Sequence, residues 1–158
     1  MTPAHAQLLR DLLRTQAVAA LGTLHQGQPY VSMVPFALRP GSTDFIIHVS
    51  RLAAHTKDML MHPAVSLLVT ALPVPEVTAQ ETARITVQGE ALQLARDTPG
   101  YASAQAAYLA RFPQSEMMFG FADFSLFAIV PDSIRFVGGF AQATTISPAT
   151  LAGALHGA

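Results

Sequence analysis

The chain has 158 residues, 51% hydrophobic and 12% charged, with a formal net charge of -1 and no cysteine. That balance excludes disulfides and thiolate chemistry, lacks the basic footprint of a nucleic-acid binder, and holds no apolar run near the ~20 residues that cross a bilayer. Charge is sparse for a single domain, so a second copy is expected to cover the surplus apolar surface as a homodimer.

The elements follow in chain order. Thr2 to about Gln16 reads as an amphipathic helix, with Thr2 as cap, Pro3 in the first turn and Leu8, Leu9, Leu12 and Leu13 on one face. Arg10, Asp11 and Arg14 interrupt its apolar stretch, so no secretory signal is read and a cytoplasmic location is expected. Val18 to His25 and Tyr30 to Leu38 are strands about a turn at Gln26-Gly27-Gln28-Pro29. A turn at Arg39 to Ser42 precedes a third strand, Asp44 to Val49. Leu52 to about Met61 reads as a helix that stops before His62-Pro63.

Ala64 to Leu72 is a strand and Pro73 to Glu81 a loop. Ala83 to Leu94 alternates cleanly, with Ala83, Ile85, Val87, Gly89 and Ala91 on one face. Asp97 to Arg111 is helical up to Phe112-Pro113, and a short helix follows over Gln114 to Phe119. Phe124 to Val130 and Ser133 to Phe140 read as two strands joined at Pro131-Asp132, and the tail from Ser147 forms a last helical turn. About seven short strands with few helices imply a closed or nearly closed antiparallel barrel, because closure removes exposed edges.

Three segments carry candidate chemistry. Ser50-Arg51-Leu52-Ala53-Ala54-His55-Thr56-Lys57 places hydroxyls, an imidazole and two of the chain's nine Lys and Arg residues at a strand-to-helix junction. Free N–H groups and the positive helix end suit a phosphate there. The same letters also describe a capped helix with solvated cations, and spacing alone leaves both readings open. Val31 to Phe36 carries Pro35 inside a strand, which marks a bend or a backbone that bonds to something other than a strand. Gly138-Gly139 before Phe140 permits a close approach or a tight turn.

Other chemistries find little support. The six histidines form no His-x-x-x-His pair and have no acid-rich cluster beside them, so no metal site is expected. His5, His25 and His156 are expected to face solvent, and Met117-Met118 to pack. No nucleophile elbow, dinucleotide fingerprint or P-loop is present. Asp123, Glu116 and Glu81 are too scattered to pair as acid and base.

Leu21-Gly22-Thr23-Leu24, the strand through Ser32 and Pro35, Ser50 to Lys57, His62-Pro63-Ala64-Val65-Ser66-Leu67-Leu68 and Arg135 to Phe140 occur in this order. From about Val18 to Ala143 the chain resembles the pyridoxamine 5'-phosphate oxidase-related FMN-binding split barrels, and within them the branch of the haem-utilisation proteins. The resemblance implies a mainly β fold, one split β-barrel domain over residues 1–158 with flanking helices, and a homodimer with FMN at the subunit interface. It places Ser50, Arg51, Thr56 and Lys57 on the FMN phosphate with His55 close by. Ser32, Met33 and Val34 would offer backbone to the flavin ring, and Gly138, Gly139 and Phe140 would approach the site from the other subunit.

The activity implied is that of an FMN-dependent oxidoreductase, with no catalytic side chain assigned and the small-molecule substrate unnamed. The alternatives are a haem-binding or haem-degrading protein, and a non-catalytic flavin-binding or regulatory module. The Arg-x-His-x-Arg type substrate motif of the vitamin B6 oxidases is missing, so that reaction is not expected. Haem-degrading relatives carry added C-terminal sequence, whereas this sequence stops at Ala158, which places haem cleavage behind the flavin reading and His156 low as an iron ligand.

Overall fold

Thr2 accepts a hydrogen bond from the His5 N–H (3.2 Å) with Pro3 in the first turn, so helix α1 (Pro3–Thr15) starts where its cap dictates. In the computed structural model, which describes residues 1–156, α1 buries Leu9, Leu12 and Leu13 against a curled antiparallel sheet. Strands β1 (Val18–His25) and β2 (Gln28–Pro35) form a hairpin. Its two turn residues, Gln26 (φ 52°) and Gly27 (φ 76°), are both left-handed, the conformation that matches strand twist.

The chain continues through β3 (Ala37–Leu38), β4 (Phe45–Ser50), α2 (Ala54–Met61), β5 (Ala64–Thr70) and β6 (Arg84–Gln93). Helix α3 (Pro99–Arg111), a 3₁₀ helix (Pro113–Gly120), β7 (Phe124–Val137), β8 (Ala143–Ile146) and α4 (Pro148–His156) complete it. The strand order is β2-β1-β5-β6-β7-β4-β3, with β8 added on β7. The two end strands, β2 and β3, are consecutive in the chain and separated by Phe36 alone, so the sheet has to curl back on itself. This is the split β-barrel that the sequence implies, with flanking helices.

Alternation sorts the core. Ala19 and Leu21 of β1, Leu67 of β5 and Ile85 and Val87 of β6 point into the barrel, as the period-2 pattern requires. Strand β4 is buried on both faces. Phe45, Ile47 and Val49 enter the barrel, while Ile46 joins a second cluster with Ala104 and Tyr108 of α3 and Leu126 of β7.

The structure departs from the sequence reading at three places. Pro131-Asp132 does not separate two strands, because β7 runs through it. Gly89 pairs with Pro131 and Gln88 with Ser133, so the register skips Asp132 as a bulge. The tail is a full helix, α4, whose Leu151 and Ala154 are buried in the core. Helix α2 begins two residues later than expected, because the Leu52 N–H donates to Ser50 Oγ (3.1 Å) and holds that stretch as a turn. Among the described residues no helix is long and apolar enough to cross a membrane.

Candidate functional site

Helix α2 packs on β1 and turns one face towards the hairpin. His55, Asp58 and Met59 lie three and four residues apart, so they share that face. On β1, Thr23 and His25 have the parity of the inward-facing Leu21, and Ser32 stands opposite Leu21 on β2. The two elements are joined by side-chain hydrogen bonds. Thr23 Oγ1 donates to Asp58 Oδ2 (2.9 Å), His25 Nδ1 donates to Asp58 Oδ1 (2.8 Å), and Ser32 Oγ meets His55 Nδ1 (3.0 Å).

Electrostatics follow from this arrangement. Burial pushes the Asp58 carboxyl up, but the His25 and Thr23 hydrogen bonds and the two nearby imidazoles outweigh it and hold the group below its ordinary value. Burial pulls His55 down, partly offset by the Asp58 charge. Beside the cluster lies a largely apolar cavity of about 250 Å³ bounded by Leu24, His25, Lys57, Asp58, Met61 and His62.

The expected phosphate cradle is arranged differently. Ser50 Oγ donates to Asp123 Oδ2 (2.6 Å), and the buried Thr56 donates to the Ser50 carbonyl (2.7 Å). Both hydroxyls therefore hold the strand-to-helix junction together, and a carboxylate stands at the corner where a phosphate would need positive charge. The Arg51 guanidinium reaches the Ala122 carbonyl (2.9 Å) and lines a separate cavity of about 350 Å³ with Arg96, Gln93, Tyr101 and Ser125. Lys57 lines the cavity beside His25 instead. Ser50, Arg51, Thr56 and Lys57 do not converge on one anion position.

The other predicted residues divide. Ser32 and His55 are brought together by a hydrogen bond between their side chains, a contact the sequence reading does not include. Strand β2 has a strand on one side only, which leaves one edge of the main chain at Ser32, Met33 and Val34 without a ladder partner; Met33 points outward and Val34 into the core. Gly138 closes a turn, donating to the Gln142 carbonyl (3.2 Å), and packs near the ring of His5. Gly139 is in the same turn and Phe140 is exposed, so within one chain all three sit beside the start of α1 rather than against Ser32 and His55.

His25, Asp58 and Thr23 are the residues that sequence reasoning missed. His25 is tied to a buried carboxylate rather than left free in solvent, and the shared parity of Leu21, Thr23 and His25 was the available signal. His48 is sealed, stacked on Phe119 (ring centroids 3.9 Å apart, 6° between planes) with Tyr108 and Phe124 alongside, and neither ring nitrogen has a hydrogen-bond partner. Among the described residues no group of three or more His, Asp or Glu side chains gathers where a metal ion could be held.

Residues 6–138 match the model of the pyridoxamine 5'-phosphate oxidase family. The chain belongs to that family. Within it, the chain is 36% identical over 138 residues to the chloroplastic haem oxygenase HOZ of Arabidopsis thaliana, covering 85% of this chain and 40% of the relative. It is 28% identical over 134 residues to the haem oxygenase HutZ of Vibrio cholerae, covering 83% of this chain and 74% of that one. The fold superposes with a TM-score of 0.83 and 27% identity on a haem-binding protein from Mycobacterium smegmatis, over 96% of this chain and 61% of that structure. The chain thus spans less than half of the plant relative's length. These relatives correct the FMN expectation, because family members similar to this chain are named for haem. The Asp123 carboxylate at Ser50 and the separation of Arg51 from Lys57 give a physical reason in the same direction.

Proposed function

We propose that this domain binds haem and serves its oxidative breakdown. The observation that carries the reading is the 36% identity, over 85% of the chain, to a haem oxygenase. The residues present suit the group. A haem site needs an apolar surface for the macrocycle, a nitrogen or other donor for iron, and cations for the propionates. Leu24, Tyr30, Leu60 and Met61 are exposed apolar side chains on the hairpin and α2. His25 and His55 are held there by their Nδ1 atoms, with no hydrogen bond at Nε2 among the described residues, and Lys57 lines the cavity beside His25 as a cation. Haem supplies the redox-active iron and the ring that is opened, using dioxygen and electrons from an external reductant. This chain's residues bind, orient and shield it.

Haemin titrated into the purified protein is expected to give a saturable Soret band, which decays when ascorbate is added in air. Failure to form the band refutes the reading. A band that persists under reductant and oxygen reduces it to haem carriage.

A homodimer is part of the same proposal. The outer face of the hairpin and β5 carries two cross-strand rows, Met33–Ala20–Leu68 and Val31–Gly22–Ser66. Val31 and Met33 are 68% and 63% exposed around the small Ala20 and Gly22. That is an apolar trough with ridges, suited to a self-complementary contact. Met33→Glu is expected to turn a dimer into a monomer in light scattering at micromolar concentration. A monomeric parent protein would remove the basis for this assignment.

A further inference from the structure

The chain has six histidines, and the structure separates them by what holds each ring. His5 gives its Nε2 to Gln142 (2.9 Å), and His48 is walled in by aromatic rings. His62 and His156 are exposed, with no hydrogen bond among the described residues to fix the ring. His25 and His55 remain, each tied at Nδ1. They differ in the partner: a serine hydroxyl for His55, a buried carboxylate for His25.

We propose that His25 is the ligand this domain offers to haem iron, with Asp58 as its positioning residue. The inference rests on the haem reading above and adds to it the identity of the donor atom.

The geometry supplies what a metal-binding imidazole requires. A ligand nitrogen must carry its lone pair, so the ring proton has to reside on the other nitrogen. Asp58, ionised and only 5% exposed, accepts a hydrogen bond from Nδ1–H at 2.8 Å and holds the ring proton there, which leaves the lone pair on Nε2. Thr23 pins the second carboxylate oxygen at 2.9 Å, so the carboxylate cannot rotate away from the ring. A buried carboxylate in this position gives the imidazole partial imidazolate character and strengthens it as a donor. The relay runs from the interior outward and ends on a ring whose side chain is 42% exposed. Leu24 and Met61 wall the cavity beside it with apolar surface, Tyr30 lies against the ring (centroids 5.4 Å apart), and Lys57 stands on the same cavity as a cation for a carboxylate of the ligand. His55 lacks the carboxylate, and its hydroxyl partner can donate as readily as accept.

The test is ferric haemin binding by the full chain, followed by absorption and resonance Raman spectra. His25→Ala is expected to shift the Soret band, weaken binding at least ~10-fold and remove the ferrous iron–histidine stretch, with added imidazole restoring the parent Soret position. His25→Tyr keeps a ring at the site and is expected to bring in the charge-transfer band of a phenolate ligand. Asp58→Asn is expected to retain the histidine stretch at lower frequency and to raise the reduction potential, because a neutral amide withdraws imidazolate character. His5→Ala should leave the parent spectrum in place, because His5 lies away from this cavity against Gln142. A parent-like spectrum in folded His25→Ala or His25→Tyr, or no response of the stretch to Asp58→Asn, overturns the assignment. No Soret band from the parent protein overturns the haem reading itself, so the two failures are read apart.

Discussion

Gly89→Ala is expected to destabilise the protein by about 3 kcal/mol or more, the largest effect of a methyl added at any of the described glycines. A Cβ at Gly89 would stand 2.1 Å from the Val130 carbonyl oxygen and 2.9 Å from its carbon. Both are backbone atoms of the paired strand, so no side chain can swing aside to relieve the clash. The crowding arises at the bulge, where Gly89 faces Pro131 and the register skips Asp132. Proline has no N–H to offer a ladder, and the two backbones close in on each other where that bond is missing. The bulge also sets the register from Ser133 to Val137, including Ile134 and Phe136, which are fully buried in the barrel. The added methyl therefore has to move β7 or shift five residues against β6. Marginal stability makes a loss of this size easy to see. Urea unfolding of Gly89→Ala measures it, and a midpoint equal to the parent's would show that β7 can retreat at no cost.

That bulge marks the boundary of what the sequence could disclose. The alternation of Ile85, Val87, Gly89 and Ala91 is a local property of one strand, and it is legible because burial on one face repeats every second residue. Whether Pro131-Asp132 ends a strand or bends one depends on Gly89 across the ladder, 42 residues before Pro131 and visible only once the partner is known. The same limit governs the site. Ser50, Arg51, Thr56 and Lys57 look like a phosphate cradle as long as their only company is the helix they begin. Asp123, which claims Ser50, lies 73 residues away, and Asp58 is 33 residues from His25. Local spacing pointed to the helix that begins after Ser50, but the hydrogen bond between Ser32 and His55 joins residues 23 apart and is not legible in it. It could not show that two hydroxyls were already spent inside the fold, or that the two cations face different cavities. The FMN expectation came with the family resemblance and is corrected by the relatives named for haem; a carboxylate-backed imidazole beside apolar surface suits iron in a macrocycle.

His48→Leu is expected to make the protein more stable at neutral pH by about 1 kcal/mol and to remove much of its sensitivity to mild acid. His48 is 6% exposed and neither ring nitrogen has a partner, so the folded state carries the desolvation of two polar atoms without a compensating bond. Stacking on Phe119 returns part of this, which is why the net gain on substitution is modest. Burial, and then the positive charge of Arg96, push the imidazole from its ordinary value of 6.5 down to about 4. Between those two values the unfolded chain binds a proton that the folded chain refuses. Stability therefore falls as pH drops through that window, and the neutral cage is at full strength above it. The contribution is on the order of 2 kcal/mol once partial solvent screening is allowed for. His55, also held low by burial, adds a smaller slope of the same sign, so some acid sensitivity survives the substitution. Asp58 adds a slope of the same sign at lower pH: its carboxyl is held below its ordinary value, so its stabilisation persists through the His48 window and is lost as pH falls through its own depressed value. Thermal melts of the parent and His48→Leu at intervals from pH 7.5 to 4 separate these terms. Parallel curves for the two proteins would mean that His48 accepts a proton in place, and that the cage of Phe119, Tyr108 and Phe124 opens at little cost to let water reach it.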